Sequence, residues 1–92
     1  TEIYTLSLHD ALPISITFEL CQNIIDDFVL VSEDEIADGI RIGLEKHHQL
    51  IEGAAGAAIA GFMKQKDKLN GQTVVIVMCG GNISSEVLKS IL

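Results

Sequence analysis

TVVIVMCGGNISSEV, Thr73 to Val87, decides how the rest of this chain is read. Thr73 to Cys79 is an unbroken run of apolar and β-branched residues that stops at Gly80-Gly81, and a polar turn then leads into Glu86-Val87-Leu88. A run of this kind, bounded by glycines, predicts a strand buried on both faces, as in parallel sheets. The two glycines remove side chains at the strand's carboxyl end, so another molecule can approach the backbone there. In open α/β sheets that end is where ligands sit. The same letters also spell an ordinary tight turn between a buried strand and a helix, and the pattern alone leaves both readings open.

Moving upstream, Asn70-Gly71 marks the stop of a segment that begins at Glu52. Within it Gly53, Ala57 and Gly61 repeat every four residues, and Gly56 with Ala60 forms a second small row. So little side chain predicts a helix that neighbours approach closely. Glu52 stands at its start. A carboxylate there caps the helix and pairs with its dipole, or belongs to a site, and the two roles are compatible. Lys64, Lys66 and Lys68 read as solvated charges at the far end.

Further upstream, Ser32 followed by Glu35 spells a capping box, with acidic residues 33 to 35 suiting the positive helix end. Ile36, Ile40, Leu44 and His47 recur as the buried face, with Gly39 and Gly43 between them. Each glycine costs roughly 1 kcal/mol against Ala in a helix interior, so both predict a close backbone neighbour. His47-His48 could suggest a metal. Adjacent histidines diverge on a helix, however, and no third ligand lies at metal-binding spacing. Before that helix, Phe28 to Val31 predicts a short strand, and Phe18, Cys21, Ile24 and Ile25 give one apolar stripe on a helix ending near Asp26-Asp27.

The predicted order is therefore helix, strand, helix, helix, strand, helix: an α/β arrangement with two parallel strands and flanking helices. Two strands cannot cover both faces of Val74 to Met78, so part of the sheet is expected to lie in other sequence. Ninety-two residues make one small domain at most, or a piece of a larger one. The net charge of -7, with no Lys/Arg cluster, argues against a nucleic-acid or anionic-membrane partner. Cys21 and Cys79 have no pairing pattern and read as reduced thiols, which predicts a cytoplasmic protein. No apolar stretch reaches the ~18 residues of a membrane span.

Residues 1 to 15, TEIYTLSLHDALPIS, hold the only Pro and the only Tyr and show no sustained period. Read as codons, Thr1 to Ile14 is what the common short-read sequencing adapter spells in one frame, with Ser15 straddling its end. The expectation is a non-native segment at 1–15, best left out of fold reasoning, and a native segment at 16–92. His9 and Asp10 go with the former.

Three motifs carry a resemblance that covers roughly Thr17 to Leu92: Val31-Ser32-Glu33-Asp34-Glu35-Ile36, Ile51-Glu52-Gly53-Ala54-Ala55-Gly56 and Cys79-Gly80-Gly81-Asn82-Ile83. In this order they resemble the C-terminal part of the threonine/serine dehydratases, pyridoxal-phosphate enzymes of the tryptophan-synthase-β-like fold type II, with serine racemase and hydroxyaspartate ammonia-lyase as relatives. The resemblance implies a cofactor-binding set of Cys79, Gly80, Gly81, Asn82 and Glu52. Cys79 would face the pyridine nitrogen, Gly80 and Gly81 would keep the ring edge clear, Asn82 would tie the turn through its side chain, and Glu52 would form part of the pocket wall. Many relatives carry Ser where this chain has Cys79. A thiol donates weakly to a neutral nitrogen and leaves the ring a weaker electron sink than a carboxylate would. That suits β-elimination of a hydroxyl to give a 2-oxo acid and ammonia. The lysine that would hold the cofactor and the glycine-rich phosphate loop have no counterpart in this sequence, so no catalytic residue is assigned. The implied parent acts on a small amino acid, is a homo-oligomer, and leaves this piece inactive alone. A second reading remains open: a non-catalytic α/β module using Gly80-Gly81 for an anion or a subunit contact.

Overall fold

The computed structural model describes residues 15–92. Thr1 to Ile14, including His9 and Asp10, lie outside the described residues. Four helices follow in order: α1 (Ser15–Ile24), α2 (Glu33–His47), α3 (Gly53–Gln65) and α4 (Ser85–Ile91). Ser15, assigned above to the adapter-like segment, is the first residue of α1.

The scaffold is the α2–α3 pair. Ser32 caps α2 as its sequence predicts: its side chain accepts from the Glu35 N–H at 3.1 Å, and Glu35 accepts from the Ser32 N–H at 2.8 Å. At the other end His48 adopts a left-handed conformation (φ 55°) and its N–H donates to the Leu44 carbonyl at 3.1 Å, while Gln49 donates to Gly43 at 3.0 Å. This closes α2 one residue after His47, and His47 is exposed rather than part of the buried face. The buried face is Ile36, Ile40 and Leu44, with Ile40 the most enclosed.

Where α2 crosses α3, the glycines meet. A Cβ on Gly39 would land on the Gly56 carbonyl oxygen, and one on Gly56 would sit 2.7 Å from Ile40 Cγ1 and 2.9 Å from the Ile36 carbonyl oxygen. Gly43 makes room for Ile51, whose Cδ1 lies 2.7 Å from where its Cβ would be. The close approach predicted for Gly39 and Gly43 is thus real, and its partners are α3 and the segment leading into it. On α3 the row facing α2 is Ala55, Gly56, Ile59 and Ala60, all buried. Gly61 meets nothing.

Neither predicted strand is paired in a ladder, and the described residues contain no strand. A ladder needs a neighbour in hydrogen-bonding reach, and residues 73–79 make no backbone hydrogen bond to any described residue. Their exposure nevertheless alternates. Ile76 and Met78 pack on the core formed by Ile40, Ile51, Ala55 and Ile59, whereas Val75 and Val77 are 85% and 67% exposed. Val29 and Val31 are likewise half-buried between the exposed Phe28 and Leu30. This is the period of a strand, with one face covered by the helices and the other bare. Burial on both faces is not found. α1 buries no residue fully: Phe18 and Cys21 are half-covered, and Ile24 is exposed.

Two side chains tie the elements together. Lys64, near the end of α3, donates to the Leu30 carbonyl at 2.9 Å and to Glu35 at 3.3 Å. It is not the free solvated charge its sequence context predicted. Arg41 on α2 donates to Asp38 and to the Ile91 carbonyl of α4.

Candidate functional site

The polypeptide leaves α2 through Gln49-Leu50-Ile51 and enters α3 at Glu52, which has extended dihedrals (φ -87°, ψ 176°). That extended stretch runs beside the turn at the end of the 73–79 segment. The Glu52 N–H donates to the Gly80 carbonyl at 3.1 Å. The Asn82 N–H donates back to Glu52 Oε1 at 3.5 Å. A Cβ on Gly81 would sit 3.0 Å from the Leu50 carbonyl oxygen. Gly80 has φ 96°, which an L side chain rarely adopts, and the Glu52 carboxylate occupies the space its Cβ would take.

Glu52, Gly80, Gly81 and Asn82 are therefore brought together from two parts of the chain thirty residues apart. Cys79 precedes them and is exposed, with a free thiol. Two expectations change in detail. Glu52 stands at the N-cap position of α3, but its side chain makes no capping hydrogen bond; it turns to the Gly80–Asn82 turn instead. Asn82 ties that turn with its backbone N–H rather than its side chain. The turn is tightened further by the Ile83 N–H donating to Gly81 O at 2.9 Å. Ser84 then caps α4 by accepting from the Val87 N–H at 3.2 Å.

Glu52 and Asn82 also border a groove of about 620 Å³ between α2, the start of α3 and α4, which Ile36, Ile40, Ser84 and Ser90 line as well. A second groove of about 430 Å³ runs along α2 and α3; four of its charged residues are paired, Asp38 with Arg41 and Glu35 with Lys64, and Glu45 lines it as well. Sequence reasoning missed Lys64 and Arg41 as ties because their acceptors are backbone carbonyls distant in sequence. His47 and His48 are both exposed, and no cluster of metal-ligating side chains forms among the described residues.

The pyridoxal-phosphate-dependent enzyme family matches residues 3–80 of this sequence. The chain belongs to that family. Among curated members, it is 38% identical over 80 residues to the L-threonine ammonia-lyase of Thermotoga maritima, covering 87% of this chain and 20% of that protein. It is 43% identical over 68 residues to the biosynthetic L-threonine dehydratase of Halalkalibacterium halodurans, covering 73% and 16%. It is 33% identical over 73 residues to the catabolic L-threonine dehydratase of Escherichia coli K12, covering 77% and 22%. The chain thus spans about a fifth of the length of the relatives it matches. No solved structure matches it. Membership supports the α/β class expected for the intact protein.

The family's cofactor can be tested against the residues present. Cys79 offers an exposed thiol donor beside exposed backbone at Gly81, while the side-chain space of Gly80, expected to be clear for the ring edge, is filled by the Glu52 carboxylate. That donor set fits the pyridine nitrogen and one edge of the ring. The site contains no lysine: Lys64 is committed to Leu30 and Glu35, and the other lysines of the chain lie outside the turn and its Glu52 partner. The residues fit one end of the cofactor.

Proposed function

We propose that this chain is part of a threonine/serine ammonia-lyase and that Cys79, Gly80, Gly81, Asn82 and Glu52 border the ring-nitrogen end of its pyridoxal phosphate. The observation that carries this reading is the convergence of Glu52 with the Gly80–Asn82 turn beside an exposed Cys79. The names of the related proteins support the amino-acid substrate. When bound, the cofactor supplies an electron sink for loss of the substrate's β-hydroxyl and amino group. The chain's own contribution is a weak hydrogen-bond donor at Cys79 Sγ, backbone without side chains at 80 and 81, and a fixed carboxylate at Glu52. The covalent lysine and the phosphate-binding loop would come from sequence outside these 92 residues, so the chain alone is inactive. Residues 28–31 and 73–79 would be parallel strands of the intact sheet, which covers the exposed face of Val75 and Val77. A cytoplasmic, homo-oligomeric parent belongs to the same reading.

Residues 1–15 are proposed to be adapter-derived, with 16–92 native. The family match begins at residue 3, inside that segment, and the proposal rests on the letters themselves. Sequencing the genomic locus across Ser15 decides it: a native reading frame that encodes Thr1 to Ile14 removes the proposal.

The site is tested in the longer protein that carries this sequence. Cys79→Ser, which keeps a neutral donor, should retain turnover within a few-fold, and Cys79→Asp should impair it strongly. Equal activity in all three forms would show that position 79 does not address the ring nitrogen. The absence of a borohydride-sensitive visible band from the purified longer protein would remove the cofactor assignment altogether.

A further inference from the structure

We infer that Glu52 is a positioning residue that acts on the Gly80–Asn82 turn, and that residue 80 is glycine because the Glu52 carboxylate needs its space. The sequence alone suggests that Gly80 is bare so that a ligand can come close. The structure places a protein group there instead. Glu52 grips the turn at two points of opposite polarity: its N–H donates to the Gly80 carbonyl at 3.1 Å, and its Oε1 accepts from the Asn82 N–H at 3.5 Å. Between these points the carboxylate fills the position of a Cβ on Gly80, whose φ of 96° turns the chain toward Glu52.

The side chain is free to do this because it does no other work. It makes no capping bond to α3, although it stands at the N-cap position, where Ser32 and Ser84 use their side chains to cap α2 and α4. The helix start gives up a cap, and the turn gains an acceptor. Since the Glu52 backbone is fixed by the first hydrogen bond of α3, Gly56 N–H to Glu52 O at 2.9 Å, the grip transmits the position of the α2–α3 scaffold to the segment that presents Cys79. This consequence for Cys79 rests on the proposed function; the grip itself does not.

The test uses the isotopically labelled longer protein that carries this sequence, prepared without cofactor, and reads amide exchange and the proton shift at Asn82. Removing the acceptor in Glu52→Ala should speed Asn82 exchange by a few-fold, less than the roughly tenfold of a short charge-assisted bond because the contact is 3.5 Å long and exposed. Glu52→Gln keeps a carbonyl acceptor of the same reach and should rescue most of that protection. Glu52→Asp keeps the charge but is one methylene short, so it should behave like Ala. Gly80→Ala should release Asn82 to a similar extent, and the double change Gly80→Ala with Glu52→Ala should add little more. In Glu52→Gln the Asn82 amide proton shift should move toward that of a neutral acceptor while protection stays. A purely packing role for Glu52 would not produce that pair of results.

Unchanged Asn82 exchange in Glu52→Ala overturns the inference, as does a Gln variant that loses as much protection as Ala. If Glu52→Ala loses helical signal, Glu52→Asp decides the matter: native protection in Asp overturns the inference, and lost protection supports it. No readout involves pyridoxal phosphate, so failure of the cofactor assignment leaves these outcomes standing, and their failure leaves that assignment untouched.

Discussion

The α2–α3 crossing makes the sharpest stability prediction, because two glycines on these helices have opposite surroundings. At Gly39 a Cβ would fall on the Gly56 carbonyl oxygen, which is backbone and cannot rotate aside. At Gly61, in the interior of α3, a Cβ would meet nothing. Both substitutions to Ala gain the same intrinsic helix preference, about 0.5–1 kcal/mol. Gly61→Ala should keep that gain. Gly39→Ala must push the helices apart around Ile40 and Ile59, an overpacking cost of about 1–3 kcal/mol that can run higher where backbone is struck. The shared helix gain cancels, so the two variants should differ by the overpacking cost alone, about 1–3 kcal/mol, with Gly61→Ala above the parent and Gly39→Ala below it. At about 4–8 °C per kcal/mol for a domain of this size, the melting temperatures should separate by roughly 4–24 °C. Helical ellipticity at 222 nm during urea and thermal unfolding of the 92-residue chain measures this. Gly56→Ala, struck by Ile36 O and Ile40 Cγ1, should follow Gly39→Ala. If Gly39→Ala and Gly61→Ala were equally stable, the helices would not cross at these glycines and the packing described here would be wrong.

Two further outcomes follow from the ends of α2. His48 holds φ 55°, a conformation that costs a non-glycine residue roughly 1–2 kcal/mol. His48→Gly should gain about 0.5–1 kcal/mol after the extra freedom of the unfolded chain is subtracted, while His48→Ala should gain nothing; urea midpoints distinguish them. At the other end, the Glu35 carboxyl is held below its ordinary value of 4.5, chiefly by accepting from the Ser32 N–H, with the Lys64 ammonium adding to the effect and desolvation opposing it. A carboxyl with a depressed folded value stabilises the fold fully above its unfolded value and loses that contribution as pH falls through the lower folded one. Stability should thus decline on acidification below about 4.5, and Glu35→Gln, which keeps an acceptor but not the charge, should flatten that decline. An unchanged acid profile in Glu35→Gln would mean that other carboxylates carry it.

What the sequence revealed of this fold is what neighbours along the chain encode. The Ser32–Glu35 box, the Ile36–Ile40–Leu44 face and the Gly56–Ala60 row of α3 are all set by residues three or four apart and were legible, whereas the Gly53–Ala57–Gly61 row is only half-buried and Gly61 meets no neighbour. The glycines at 39 and 43 were legible as signs of a close neighbour, although nothing in their own segment named Gly56 or Ile51. The errors share one cause. Lys64 looked solvated because its acceptor, the Leu30 carbonyl, lies 34 positions away. Residues 73–79 looked doubly buried because a continuous apolar run reports that both faces can be covered, not that this chain contains the cover. Their exposure shows what these 92 residues supply: the helices take Ile76 and Met78, and Val75 and Val77 are left bare. An apolar segment of strand period with one bare face and no ladder is a liability for a finished domain. It is an ordinary intermediate state for part of a sheet, which agrees with a chain that spans about a fifth of its relatives. At the candidate site the same division holds. The sequence marked Gly80 and Glu52 as unusual separately; only the fold shows that each is the reason for the other, since the glycine makes room for the carboxylate that grips its own turn.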